Sequence, residues 1–119
     1  MRYFIRSLSY AWQGIVQFFL RERNGQIQGV LALLVIAAGA FFGITKTEWL
    51  AILGCTALVI SLEMLNSAIE KVCNMYTTEF HPAIKTIKDV AAAAVLWSAV
   101  FSLVIGCIIF LPYISRLFA

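Results

Sequence analysis

Three long apolar runs, residues 27–44, 49–70 and 90–111, constrain what this chain can fold into more than any other feature. A helix crosses the hydrocarbon core of a bilayer with about 20 mainly apolar residues, each adding about 1.5 Å to a core about 30 Å thick. All three runs are near that length. The first is the shortest, with a continuous stretch of 16 residues from Gly29 to Ile44 that Ile27 extends. Of the 119 residues 62% are hydrophobic and 13% charged, whereas a soluble domain carries about a quarter charged residues. The mean hydropathy is +0.92. These features predict an all-α integral membrane protein. Two prolines and seven glycines leave no room for a linker, so residues 1–119 are read as a single domain.

Residues 2–20 differ from the spans. Phe4, Ile5, Leu8, Trp12, Ile15, Val16 and Phe19 recur at helical spacing, and Arg2, Arg6, Ser9, Gln13 and Gln17 take the opposite face. That pattern predicts an amphipathic helix lying on the membrane surface. A cleavable signal peptide fits poorly, because Arg6, Gln13 and Gln17 interrupt any apolar core and no small-residue cleavage site follows. The tight connection Thr45-Lys46-Thr47-Glu48 predicts an antiparallel pair of spans, and a longer polar connection, residues 71–89, precedes the third. Pro82 suits the first turn of that third helix.

Basic residues set the expected orientation. Arg2, Arg6, Arg21, Arg23, Lys71, Lys85 and Lys88 fall on one side, and Lys46 and Arg116 on the other. With three spans, the N-terminus and the 71–89 connection are then cytoplasmic and the C-terminus lies outside. The net charge of +3 is thereby a topology signal and gives no reason to expect a nucleic-acid partner. On this arrangement Glu22, Glu63, Glu70, Glu79 and Asp89, five of the six acidic residues, converge at the cytoplasmic face.

The end of the second run carries the chemistry. At 100° per residue, Glu63, Asn66, Glu70 and Asn74 share about an 80° sector of one helix, with Ser67 beside them. A carboxylate at membrane depth costs several kcal/mol unless it is paired, hydrated or cation-bound. Glu63 and Glu70 with Glu22 make an oxygen-rich set of the kind that holds Mg²⁺ on nucleotide phosphates. Lys88 can face those phosphates, and Asp89 can accept from a ribose or an adenine amine. A metal-bridged ATP and one spare carboxylate suffice for phosphoryl transfer to a hydroxyl. Neither a Walker A sequence nor a kinase Gly-rich loop is present. The competing reading is a non-catalytic membrane subunit whose polar stripe joins helices by hydrogen bonds. Cys55, Cys73 and Cys107 lie at no ligand spacing and are read as packing residues. On its own, His81 before Pro82 reads as a loop residue.

The stretch "EMLNSAIEKVCN" followed by "EFHPAIKTIKDVAAAAVLW" resembles the signature of the prokaryotic diacylglycerol kinase family, which includes the undecaprenol kinases. "YAWQG" at Tyr10–Gly14 and "ERN" at Glu22–Asn24 match its N-terminal pattern in order and spacing. The resemblance implies a lipid kinase of bacterial phospholipid biosynthesis in the cytoplasmic (inner) membrane. It further implies a homotrimer of three-span subunits with active sites between subunits. By the matched positions, Glu63 is the catalytic base, Glu22 and Glu70 hold Mg²⁺ on the ATP phosphates, and Asn66 is a polar neighbour ordering the site. Tyr10, Glu79, Phe80, His81, Lys88 and Asp89 fall at nucleotide-contacting positions. Asn74 stands where members often carry Asp, and "GQIQ" at Gly25–Gln28 replaces an aromatic and basic segment. The "EFHP" connection is similar to the undecaprenol kinase branch, and undecaprenol and diacylglycerol both remain open as acceptors.

Overall fold

The computed structural model describes residues Met1–Ala119 as four α-helices: α1 Arg2–Arg21, α2 Arg23–Phe42, α3 Lys46–Tyr76 and α4 Pro82–Leu117. α2, α3 and α4 are each long and apolar enough to cross a membrane. α1 is as long as α2, but its apolar residues keep to one face, where Phe4, Leu8 and Trp12 remain exposed. Its neighbour in the fold is the start of α2. Only 11 of the 119 residues are buried, so most of the apolar surface is left for lipid or a neighbouring chain to cover. The buried centre is small: Ile44, Ile52 and Ile109, flanked by Val35, Phe42, Trp49, Phe110 and Tyr113.

The helices run past the apolar runs at every end but one, α2 stopping at Phe42. α3 begins at Lys46 because Thr45 caps it: Thr45 Oγ1 accepts from the Glu48 N–H at 3.2 Å, and Glu48 Oε1 accepts from the Thr45 N–H at 2.9 Å. The turn between α2 and α3 therefore shrinks to Gly43–Thr45, with Gly43 in the left-handed region at φ 65°. At the other end, residues 71–89 are not one connection. α3 continues to Tyr76 and α4 starts at Pro82, leaving only residues 77–81 between them. The helical hydrogen-bond ladder is indifferent to hydropathy and stops only where the backbone turns extended at Thr77 and where His81 caps the start of α4 by accepting from the Ala83 N–H. At about 1.5 Å per residue, the 31 residues of α3 and 36 of α4 exceed a bilayer core, so these polar ends stand out of it as paired helical extensions. α4 likewise continues through Pro112 to Leu117.

Contacts divide by end of the bundle. Asn24–Glu63, Glu22–Lys71 and Asn74–Lys88 lie at the end where α1 meets α2 and α3 meets α4. The Tyr113 hydroxyl donates to Glu48 Oε1 at the opposite end.

Candidate active site

The buried residues of α3 include Ile52, Val59, Asn66 and Cys73, which recur every seven positions, and Glu63 beside that seam. A seven-residue repeat is the spacing of a helix face packed on its neighbours. Asn66 and Glu63 therefore enter a seam that is otherwise apolar. Each is 6% exposed. The next two members of the stripe, Glu70 and Asn74, lie towards the end of the helix and are half-buried and exposed, respectively.

The hydrogen bonds of this face are few. Asn24 Nδ2 donates to Glu63 Oε1 at 3.1 Å, from the first turn of α2. Asn66 Nδ2 donates to Glu70 Oε1 at 3.5 Å, and Asn66 Oδ1 is buried with no partner. The Glu22 carboxylate is paired with Lys71, which ties the α1–α2 junction to α3. Lys88 Nζ donates to Asn74 Oδ1 at 2.7 Å and so ties α4 to α3. Asp89 accepts from Lys85 at 2.6 Å, an i,i+4 pair on the exposed start of α4.

The structure thus brings Glu22, Glu63, Asn66, Glu70, Asn74 and Lys88 to one end of the bundle. It leaves others apart. Tyr10 on α1 and Phe80 are exposed with no ring or hydrogen-bond contact to the stripe. Glu79 is exposed, its N–H donating to Thr77 Oγ1 at 3.1 Å. His81 Nδ1 accepts from the Ala83 N–H at 3.2 Å and its ring lies edge-on to Tyr76, so in this chain it caps α4. Two residues with a part in the site were not singled out by sequence. Asn24 was visible only as a letter of the "ERN" motif, and Lys71 only as a topology charge. Their contacts cross between helices, and no spacing rule along the chain encodes them.

An apolar groove of about 450 Å³ runs between α2, α3 and α4, lined by Leu31, Val35, Val59, Leu103 and Phe110. Its lining includes Gln28, one turn beyond Asn24, and Val59 and Ile60, one turn before Glu63. Glu63 and Asn24 therefore lie one helical turn beyond residues of this groove, which they do not themselves line.

The family model for prokaryotic diacylglycerol kinase matches residues 9–110. The chain belongs to the prokaryotic diacylglycerol kinase family. It is 38% identical over 109 residues to the undecaprenol kinase of Bacillus subtilis (strain 168), covering 92% of this chain and 89% of that one. It is 34% identical over 112 residues to a diacylglycerol kinase of Synechocystis, covering 92% of this chain and 63% of that one. With the diacylglycerol kinase of Escherichia coli (strain K12) it shares 28% over 105 residues, covering 88% and 86%. As a member of the prokaryotic diacylglycerol kinase family it is a multi-pass membrane lipid kinase. That sets aside the reading of a non-catalytic subunit.

Proposed function

We propose that this kinase transfers the γ-phosphate of ATP to the hydroxyl of undecaprenol at the cytoplasmic face of the bacterial inner membrane. The observation that carries the proposal is Glu63: a buried carboxylate with one neutral hydrogen-bond donor, one turn beyond Val59 and Ile60 of an apolar groove. The choice of undecaprenol over diacylglycerol is supported by the "EFHP" connection and by the higher identity to the B. subtilis enzyme.

In the reaction the lipid chain stays in hydrocarbon and its hydroxyl reaches Glu63. The hydroxyl oxygen forms a bond to the γ-phosphorus, the bond from that phosphorus to the bridging oxygen of ADP breaks, and Glu63 takes the hydroxyl proton. General-base assistance of this kind contributes about 10²- to 10⁴-fold. The donor types at this end of the bundle suit a hard cation: Glu70 and the free Asn66 Oδ1 on α3, and Glu22 at the start of α2, are all oxygens. Although no three carboxylates are gathered into a ready-made cluster, Mg²⁺ uses few protein ligands when phosphates supply the rest. Glu22 and Glu70 would hold Mg²⁺, which when bound neutralises charge on the phosphates. Lys88 adds a positive charge that Asn74, being neutral, orients without cancelling. Tyr10, Glu79, Phe80, His81 and Asp89 are assigned to the nucleotide, their exposure leaving them open to it. The N-terminus is cytoplasmic and the C-terminus outside, as the distribution of Lys and Arg supports. Three copies form the enzyme, a neighbouring subunit completing each site.

The test is transfer of labelled phosphate by purified protein in lipid, with undecaprenol and diacylglycerol offered side by side. Undecaprenol should be the better acceptor, and Glu63→Gln should abolish transfer to either while Mg-ATP still binds. Full transfer by Glu63→Gln would refute the base assignment, and preference for diacylglycerol would refute the choice of lipid.

A further inference from the structure

Glu63 has one hydrogen-bond partner in the chain, and it comes from another helix. Asn24 is exposed over much of its surface, yet its amide reaches across 39 residues of sequence to a carboxylate that is 6% exposed. The nearby lysines are committed elsewhere: Lys71 to Glu22, Lys88 to Asn74 and Lys85 to Asp89. A lysine on Glu63 would hold it as an ion pair. A neutral amide instead fixes one oxygen and leaves the charge uncancelled.

The chain locates that amide with three attachments. Glu22 interrupts the helix with extended backbone (φ −98°, ψ 133°), so α2 starts afresh one residue before Asn24. Gly25 is buried flush against the Phe18 backbone, and Gln26 Nε2 donates to the Leu20 carbonyl at 2.9 Å, closing the end of α1. Lys71 then ties Glu22 to α3, the helix that carries Glu63. The first turn of α2 is therefore fixed relative to the carboxylate it serves.

We infer that Asn24 is the positioning residue for Glu63: its amide clamps Oε1 and presents Oε2 to the acceptor hydroxyl. The inference rests on the reading of Glu63 as the base. It assigns Asn24 a part in turnover that is separate from metal, nucleotide or lipid binding.

The experiment measures kcat, the KM for Mg-ATP and thermal stability for four variants of the full chain in lipid. Loss of a bond to a charged group predicts a fall in kcat of about tenfold to a hundredfold for Asn24→Ala, with KM for Mg-ATP unchanged. Asn24→Asp keeps the shape but sets a carboxylate against a carboxylate, and should lose at least as much. Asn24→Gln retains the donor and should recover part of the rate. Wild-type kcat in Asn24→Ala and Asn24→Asp, with Glu63→Gln inactive, would overturn this inference and leave the base assignment standing. An active Glu63→Gln would overturn both. A raised KM at unchanged kcat would make Asn24 a nucleotide contact, and equal losses in the Ala and Gln variants with lowered stability would make it packing; either result overturns the clamp.

Discussion

Replacing Gly25 with alanine tests how tightly the α1–α2 junction is built. A methyl group there would lie 1.9 Å from the Phe18 carbonyl oxygen and 2.7 Å from its carbonyl carbon. Ordinary contact begins at 3.4 Å, so the two helices must part by about 1.5 Å (3.4 less 1.9). The clashing atoms are backbone and cannot rotate aside as a side chain would. Overpacking typically costs about 1–3 kcal/mol, and the gain in helix propensity on replacing glycine, about 1 kcal/mol at most, offsets only part of it. The net expectation is a destabilisation of about 1–2 kcal/mol, read as a lower melting temperature of the purified protein in detergent. Trimming Phe18 to alanine should not restore it, because the oxygen remains. Two comparators set the scale. Gly39→Ala meets the Trp49 ring at 2.8 Å, a side chain that can shift, and should cost less. Gly14→Ala has nothing within 4 Å and should be neutral or stabilising. Gly25→Ala melting as high as Gly14→Ala would refute the close approach. A rescue by Phe18→Ala would refute its backbone origin.

Glu22→Gln and Glu70→Gln should each raise the Mg²⁺ concentration needed for half-maximal turnover by about tenfold or more, since an amide oxygen is a poorer ligand than a carboxylate; an unchanged Mg²⁺ titration would remove them from the metal site. Tyr113→Phe should lower thermal stability and leave kcat unchanged, because its hydroxyl serves Glu48 at the end of the bundle opposite Glu63; a fall in turnover at constant stability would contradict that division. A reporter fused after Ala119 should read outside the cytoplasm and one inserted within residues 77–81 should read cytoplasmic, with the reverse pattern overturning the orientation.

The helices and the stripe were legible for a local reason. Hydropathy and a 100° rotation are properties of one segment, so three spans, the surface helix and the shared face of Glu63, Asn66, Glu70 and Asn74 follow without knowing any neighbour. Helix ends were less legible. A run of apolar residues marks where a segment suits lipid, whereas a helix ends where its backbone is capped, and Lys71–Tyr76 and Pro82–Asp89 are helical although they lie beyond the apolar runs. The partners were the least legible. Whether Glu63 meets Asn24 or Arg23, adjacent in sequence, depends on how α2 is rotated against α3. Lys71 on Glu22 ties the start of α2 to α3 across 49 residues of sequence, a contact that no local pattern encodes.

The unsatisfied groups of this face all have the same polarity. Glu63 offers two oxygens and receives one donor; Asn66 gives its N–H to Glu70 and keeps a buried oxygen without a partner; Glu70 accepts one long bond. The buried acceptor left alone, Asn66 Oδ1, costs about 1–3 kcal/mol, and a membrane bundle with so little buried surface has no large core to offset it. If the stripe were only glue between helices, donors and acceptors would be matched, as they are where Thr45, Glu48 and Tyr113 close the opposite end. The surplus of acceptors calls instead for something that brings donors or positive charge. On the proposed function, a lipid hydroxyl would bring the donor for Glu63, and a metal-bound polyphosphate would bring the cation for Glu70. The imbalance that weakens the chain as a packed bundle is thus the one that suits it to phosphoryl transfer.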